Sequence, residues 1–358
     1  MPPPRRPAPP TPDPYPRLRG RGALLGLAVG DALGVHLELR RLVSPAFPQL
    51  VDGPHRNIRG GGIHELRRGQ VTEATQMACC IALSLREGGS YSTEDMVRRY
   101  MRWRSHAAGL SEYTQEVLQE MAESGLPKAT AARRVWMRRH RRTADNGSLA
   151  RVAPLGIFFS KEKDREARIQ ATLEECALTH YDPRCQLACA TLNGAIARAL
   201  HGGEKLKAED LITASQSELV IAASMLGRMI PDNVREVTDA AELLKQDLAA
   251  AQQADPMLFG PELHMHRHHD FVRVAFRLAY WELLHAGDYE TALVDVINRG
   301  GDTVTNGAVA GALLGAFHGE DSIPNHWHQA VLGALGSPML GPLATVYHPR
   351  NLLLLSPD

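Results

Sequence analysis

The chain has 358 residues, enough to bury a substantial core as one large domain or two smaller ones. Forty basic side chains balance forty acidic ones, so no net field draws it onto nucleic acid or an anionic membrane. Five cysteines without zinc-type spacing, no apolar run of spanning length and no leader-type stretch before residue 22 predict reduced thiols and a cytoplasmic location.

Nine prolines fall among residues 1–16, a composition that cannot pack a core. Residues 1–20 are therefore expected to be a disordered extension and residues 21–358 a single domain. Apolar positions then recur with helical period over 23–33, 75–85, 93–104, 111–124, 130–142, 169–178, 183–201 and 208–229. The same period continues over 237–253, 271–285, 289–299, 307–318 and 325–335. Sustained alternation is almost absent, which predicts an all-α fold.

Five segments carry possible chemistry. The first helix places Gly22, Gly26, Gly30 and Gly34 on one face. Each glycine costs a helix roughly 1 kcal/mol, so the stripe implies close helix approach, with Asp31 and Glu38 as candidate working groups. Thr72 is a plausible N-cap ahead of Thr75 and Gln76. The segment Asp145-Asn146-Gly147-Ser148 turns backbone N–H groups toward phosphate or ribose oxygens, or is simply a turn. His180 stands at a junction between helices, where a structural histidine is the simpler reading. Near the C-terminus, Gly300-Gly301-Asp302-Thr303-Val304-Thr305-Asn306 presents an acid and two hydroxyls as a small-residue helix begins. The aliphatic Val304 sits where a second carboxylate would suit a cation.

Two further tracts take bland readings. His264, His266, His268 and His269 fit no metal spacing and read as a solvated loop, with substrate contact as the alternative. Arg133, Arg134 and the basic stretch 138–142 read as a solvated helix face, with pyrophosphate recognition as the alternative.

In this order and spacing, the segment 22–34, the segment 146–156 and the segment 300–306 resemble the ADP-ribosylglycohydrolase family, from Gly22 to about Trp327. The resemblance implies a single-domain orthogonal helix bundle, a cleft for ADP-ribose and two Mg²⁺ or Mn²⁺ ions. It places substrate binding at Asn146, Gly147, Ser148, His180, Gly300 and Gly301. It places metal ligation at Thr72, Glu73, Asp302 and Thr305, and catalysis at Glu38, Glu73 and Asp302.

The chain departs from the family pattern where the cations would sit. The family's Thr-Asp-Asp triplet falls on Thr72, Glu73 and Ala74, and its Asp-Thr-Asp-Thr segment on Asp302, Thr303, Val304 and Thr305. An acidic loop used by some members falls on 109–114 and has lost its Asp. Two closely spaced divalent ions need several carboxylates to offset their repulsion, so no dinuclear centre is expected, and one ion bound weakly or none. Three functions remain open. One is hydrolysis of an N- or O-glycosidic bond at the ribose C1 of a protein-linked or small-molecule conjugate. The second is an inactive relative that binds ADP-ribose or an ADP-ribosylated protein. The third is a purely structural protein, which the retained cleft motifs oppose. No nucleic-acid or membrane partner is expected.

Overall fold

The computed structural model describes residues 13–40, 55–107, 111–125, 129–336 and 338–357. The Pro-rich residues 1–12 and positions 109 and 110 of the acidic-loop comparison lie outside them. Sixteen α-helices form among the described residues, and β-structure there is limited to three isolated bridges. The expected all-α fold is therefore observed, and no described helix is long and apolar enough to cross a membrane.

Two helices form the axis of the molecule: α1 (Tyr15–Gly34) and α14 (Thr303–His318). They are buried on nearly every side, as central helices must be. They run antiparallel and touch through backbone. A Cβ on Gly22 would meet the Gly315 oxygen at 2.2 Å, one on Gly26 the Gly311 oxygen at 2.1 Å, one on Gly30 the Gly307 oxygen at 1.8 Å. The stripe seen in the sequence is thus a packing surface matched by Gly307, Gly311 and Gly315 on the partner helix. The pairing ends at Gly34 opposite Thr303, whose Oγ1 donates to the Gly34 oxygen at 2.7 Å. This register fixes where the site is built, because Glu38 follows the end of α1 and Asp302 caps the start of α14.

Around the axis lie α2 (Glu73–Gly88), α3 (Thr93–Arg104), α6 (Gly147–Arg151), α7 (Ala153–Phe158), α8 (Arg165–Ala177) and α9 (Pro183–Leu200). They are followed by α10 (Ala208–Met229), α11 (Val234–Ala250), α12 (Val272–His285), α13 (Tyr289–Asn298), α15 (Asn325–Gly333) and α16 (Arg350–Leu353). Their starts obey local capping chemistry. Asp182 with Pro183 opens α9, its carboxylate accepting from Arg184 N at 2.9 Å, and Asp288 accepts from Thr291 N at 2.8 Å to open α13. The helices α4 (Glu112–Ser124) and α5 (Thr130–Arg138) form an outlying hairpin. Tyr113, Val117, Ala132, Val135 and Trp136 make its own small core, capped by Tyr181.

Two expectations need correction. Helix α1 begins at Tyr15, so residues 15–20 belong to the domain and not to the extension. Arg19 is the reason: its guanidinium donates to the oxygens of Ala199 and Gly203, both at 2.9 Å, and anchors the first turns. Helix α14 starts at Thr303 rather than 307, because the Asp302 carboxylate accepts from Thr305 N at 3.0 Å and draws the whole motif into the first turn. The five cysteines are buried and unpaired.

Candidate functional site

Glu38 leaves the end of α1 and is held across the axis. Its Oε2 accepts from Val304 N at 2.9 Å and lies 3.1 Å from Thr303 Oγ1, so it seals the N-terminus of α14. The next residue, Leu39, takes φ 57°, a left-handed conformation that disfavours a side chain. Leu39 N donates to the Gly301 oxygen at 2.9 Å, which fastens this reversal to the Gly-Gly turn. Gly300 and Gly301 have φ 75° and 76°, and a Cβ on Gly301 would stand 2.5 Å from the Met265 oxygen. Both glycines therefore shape the backbone around Glu38. Behind them Arg299 is buried and paired with Asp295 at 2.7 Å.

Asp302 uses one carboxylate oxygen on Thr305 N and accepts from Asn146 Nδ2 on the other at 2.9 Å. Burial first, then the neighbouring Asp302 charge, pushes Glu38 well above the usual carboxylate range. Burial likewise raises Asp302. The two carboxyls form a neighbouring pair, each holding a proton more tightly than an exposed carboxylate does.

Glu73, at the start of α2, faces the α4–α5 hairpin. Its Oε2 accepts from Ser111 N at 2.7 Å and its Oε1 from Thr114 Oγ1 at 3.1 Å. Burial pushes its carboxyl up to about 7, the Asp145 charge adding to the rise and Arg151 opposing it. Glu73 thus closes the N-terminus of α4, occupying the carboxylate the family pattern assigns to a cation. Thr72 is the N-cap of α2, but its side chain does not cap it. Asp31 does so from α1: its carboxylate accepts from Thr72 N at 3.0 Å, Thr75 N at 3.1 Å and Thr75 Oγ1 at 2.5 Å. Buried entirely and pushed by that burial to about 6, Asp31 is a tertiary cap rather than a working group.

The predicted substrate residues divide. Asn146 bridges to Asp302, and its own N–H is taken by the Asp270 oxygen at 2.8 Å. Gly147 N donates to Asp145 Oδ1 at 2.8 Å. Ser148 is fully buried, its Oγ between the thiols of Cys176 at 3.2 Å and Cys189 at 3.6 Å. His180 is also fully buried, with Nδ1 2.7 Å from Thr179 Oγ1 and Nε2 3.0 Å from Asp145 Oδ1. Both ring nitrogens are committed to protein, so His180 acts on the site through Asp145. Asp145 carries no signal of its own in the sequence, although it stands directly before the Asn146-Gly147 turn.

The histidine tract lies at the site as well. Asp270 holds Asn146, the Met265 oxygen presses on Gly301, and Phe259 stacks edge-on against His264 at 5.6 Å. The loop is thus a packed wall. The basic stretch at the end of α5 is paired with α4: Arg138 and Arg139 bind Glu116 at 2.8 and 2.6 Å, and Arg139 also reaches Glu112 at 3.0 Å. It forms a solvated ion-pair face.

Oxygen donors for Mg²⁺ or Mn²⁺ are few. Ala74 is buried in the core, and Val304 packs with Val35 and Leu66 in an apolar triplet. Glu73 and Asp302 are engaged with protein donors. Among the described residues no group of three or more His, Cys, Asp or Glu side chains is gathered as ligands.

With this geometry in place, the comparisons are consistent. The sequence pattern of the ADP-ribosylglycohydrolase family matches residues 12–348, so the chain belongs to that family. It is 27% identical over 311 residues to the ADP-ribosyl-[dinitrogen reductase] glycohydrolase of Rhodospirillum rubrum, covering 86% of this chain and 88% of that protein. It is 24% identical over 327 residues to the ADP-ribosylarginine hydrolase Tri1 of Pseudomonas putida, covering 87% of this chain and 74% of that protein. A solved structure described as an ADP-ribosylglycohydrolase-related protein complex superposes with a TM-score of 0.67 at 25% identity, over 96% of this chain and 99% of its own.

Proposed function

We propose that the protein binds ADP-ribose or a related ribosyl nucleotide and hydrolyses a glycosidic bond at the ribose C1 without a two-metal centre. The acid pair Glu38–Asp302 is the observation that carries this reading. Cleavage at C1 develops oxocarbenium character on the sugar and negative charge on the departing atom. A carboxyl of this pair, its hold on a proton strengthened by burial, supplies that proton to the leaving group, and the carboxylate then left between Glu38 and Asp302 offsets the positive charge at C1. The N-terminus of α14 steadies the carboxylate through Val304 N.

The donor set does not fit a pair of divalent ions. An apolar Val304 and Ala74 replace two carboxylates, and the helix N-termini of α4 and α14 engage the acids that remain. Asn146, Gly147, Gly300 and Gly301 are the positions we assign to shaping the ribose pocket, and free buried thiols accord with a cytoplasmic home. Calorimetry with ADP-ribose, followed by product assays on serine-linked and arginine-linked ADP-ribosyl peptides and β-NAD⁺, tests the reading. Binding with turnover of at least one conjugate supports it. Absence of ADP-ribose binding sinks it. Binding without turnover supports the second reading, an inactive ADP-ribose-binding relative, which the losses at Val304 and Ala74 favour.

A further inference from the structure

A buried chain of polar groups ends on a carboxylate that neither the family motifs nor the acid pair include. Arg151 is fully buried and donates from Nε to Glu175 Oε1 at 2.8 Å and from Nη2 to Thr179 Oγ1 at 2.6 Å. A guanidinium only donates, so the Thr179 oxygen accepts there and its single proton is directed to His180 Nδ1, 2.7 Å away. The Asp145 carboxylate can only accept, so His180 Nε2 donates its N–H to Oδ1 at 3.0 Å and the neutral ring leaves Nδ1 to accept the Thr179 proton. Gly147 N donates to the same oxygen at 2.8 Å. Asp145 is 5% exposed, and its Oδ2 accepts no hydrogen bond from any described residue. The adjacent residue Asn146 bonds Asp302, so Asp145 stands beside the acid pair.

We propose that Asp145 is a catalytic carboxylate of this site, accepting the proton of the attacking water on Oδ2, with Arg151, Thr179 and His180 as positioning residues. The inference rests on the hydrolytic reading above. One oxygen pinned by two donors and the other left free gives a general base its orientation and an open lone pair for the proton. The step balances within the site. The water proton passes to Asp145 Oδ2 as the water oxygen bonds to C1. The bond from C1 to the leaving atom breaks with its electron pair on that atom, which takes the proton that the parent reading assigns to the Glu38–Asp302 pair. Exchange with solvent then returns Asp145 to its carboxylate and reprotonates the pair.

The test combines ADP-ribose calorimetry with rates on the same three conjugates. Asp145→Asn keeps the shape and both acceptor contacts of Oδ1 while removing the base. It should leave the ADP-ribose Kd within about threefold and lower kcat by about a hundredfold to ten-thousandfold. Thr179→Val, one step back, should lower kcat by about tenfold, leave KM unchanged and shift the acidic limb of the kcat profile, which a purely structural role would not move. It also decides the matter where Asp145→Asn fails to fold. Asp145→Asn with kcat within threefold of wild type overturns the inference, as does a Thr179→Val profile identical to wild type. A wild type that binds ADP-ribose and turns over none of the conjugates overturns it too, leaving the binding reading standing. A wild type that binds no ADP-ribose overturns the parent reading itself.

Discussion

Glu38 is held by Val304 N and lies against Thr303 Oγ1, two contacts that a glutamine can reproduce, but a glutamine carries no acidic proton. Glu38→Gln should therefore fold and bind ADP-ribose normally while losing turnover by about a hundredfold or more, read as kcat with the melting temperature as control. Glu73 has a different signature. Its folded carboxyl is raised to about 7 from an ordinary 4.5, so the native state holds that proton more tightly than the unfolded chain. Its contribution to stability is full below about pH 4.5 and is lost as pH rises to about 7. Glu73→Gln removes this loss and still lets an amide donate to Thr114 Oγ1. Urea unfolding at pH 8 should find it more stable than wild type by roughly 2–3 kcal/mol, with the gap closing at pH 5. Val304→Asp places a carboxylate between Val35, Leu66 and the acid pair, at a cost of about 2–4 kcal/mol. Mg²⁺ should not raise its melting temperature, whereas it should raise that of the double variant with Ala74→Asp. A Mg²⁺-dependent rise in the single variant would count against this account of the site.

Among the elements, the α1–α14 pair sets the positions of Glu38 and Asp302, because one register of backbone contact delivers the first to the second. Gly30→Ala would force a Cβ to 1.8 Å from the Gly307 oxygen, a clash of backbone that no rotamer relieves. It should cost about 3 kcal/mol or more and abolish ligand binding along with stability. Gly227→Ala in α10 meets nothing within 4 Å and should be neutral or stabilise by up to about 1 kcal/mol, which thermal melts of the two variants compare directly. The caps that are local in sequence, such as Asp182 before Pro183 and Asp288 before α13, are visible in the sequence. The cap of α2 is not, because Asp31 reaches Thr72 and Thr75 only once α1 and α2 are packed together. The short helices α6 and α7 also escape periodicity, being five and six residues long, less than two turns each.

For the molecule as a whole, the all-α class and most helix positions follow from apolar period and turn residues, because each helix buries a face on a common core. The site is legible only where one motif carries its own meaning. Glu38, Asp302 and the lost carboxylates at Ala74 and Val304 stand out in the sequence. The roles of Asp145, His180 and Glu73 depend on side chains brought from α4, α8 and the turn before α6, which no spacing discloses. The resulting picture is a family site in which helix N-termini and a buried polar chain take over the carboxylates that cations would otherwise balance. Titrating ADP-ribose into the protein in EDTA and again in millimolar Mg²⁺ tests that picture most directly. The account predicts Kd values within about threefold of each other, a difference under 1 kcal/mol. Binding that vanishes in EDTA and returns at least a hundredfold tighter with Mg²⁺ would contradict it.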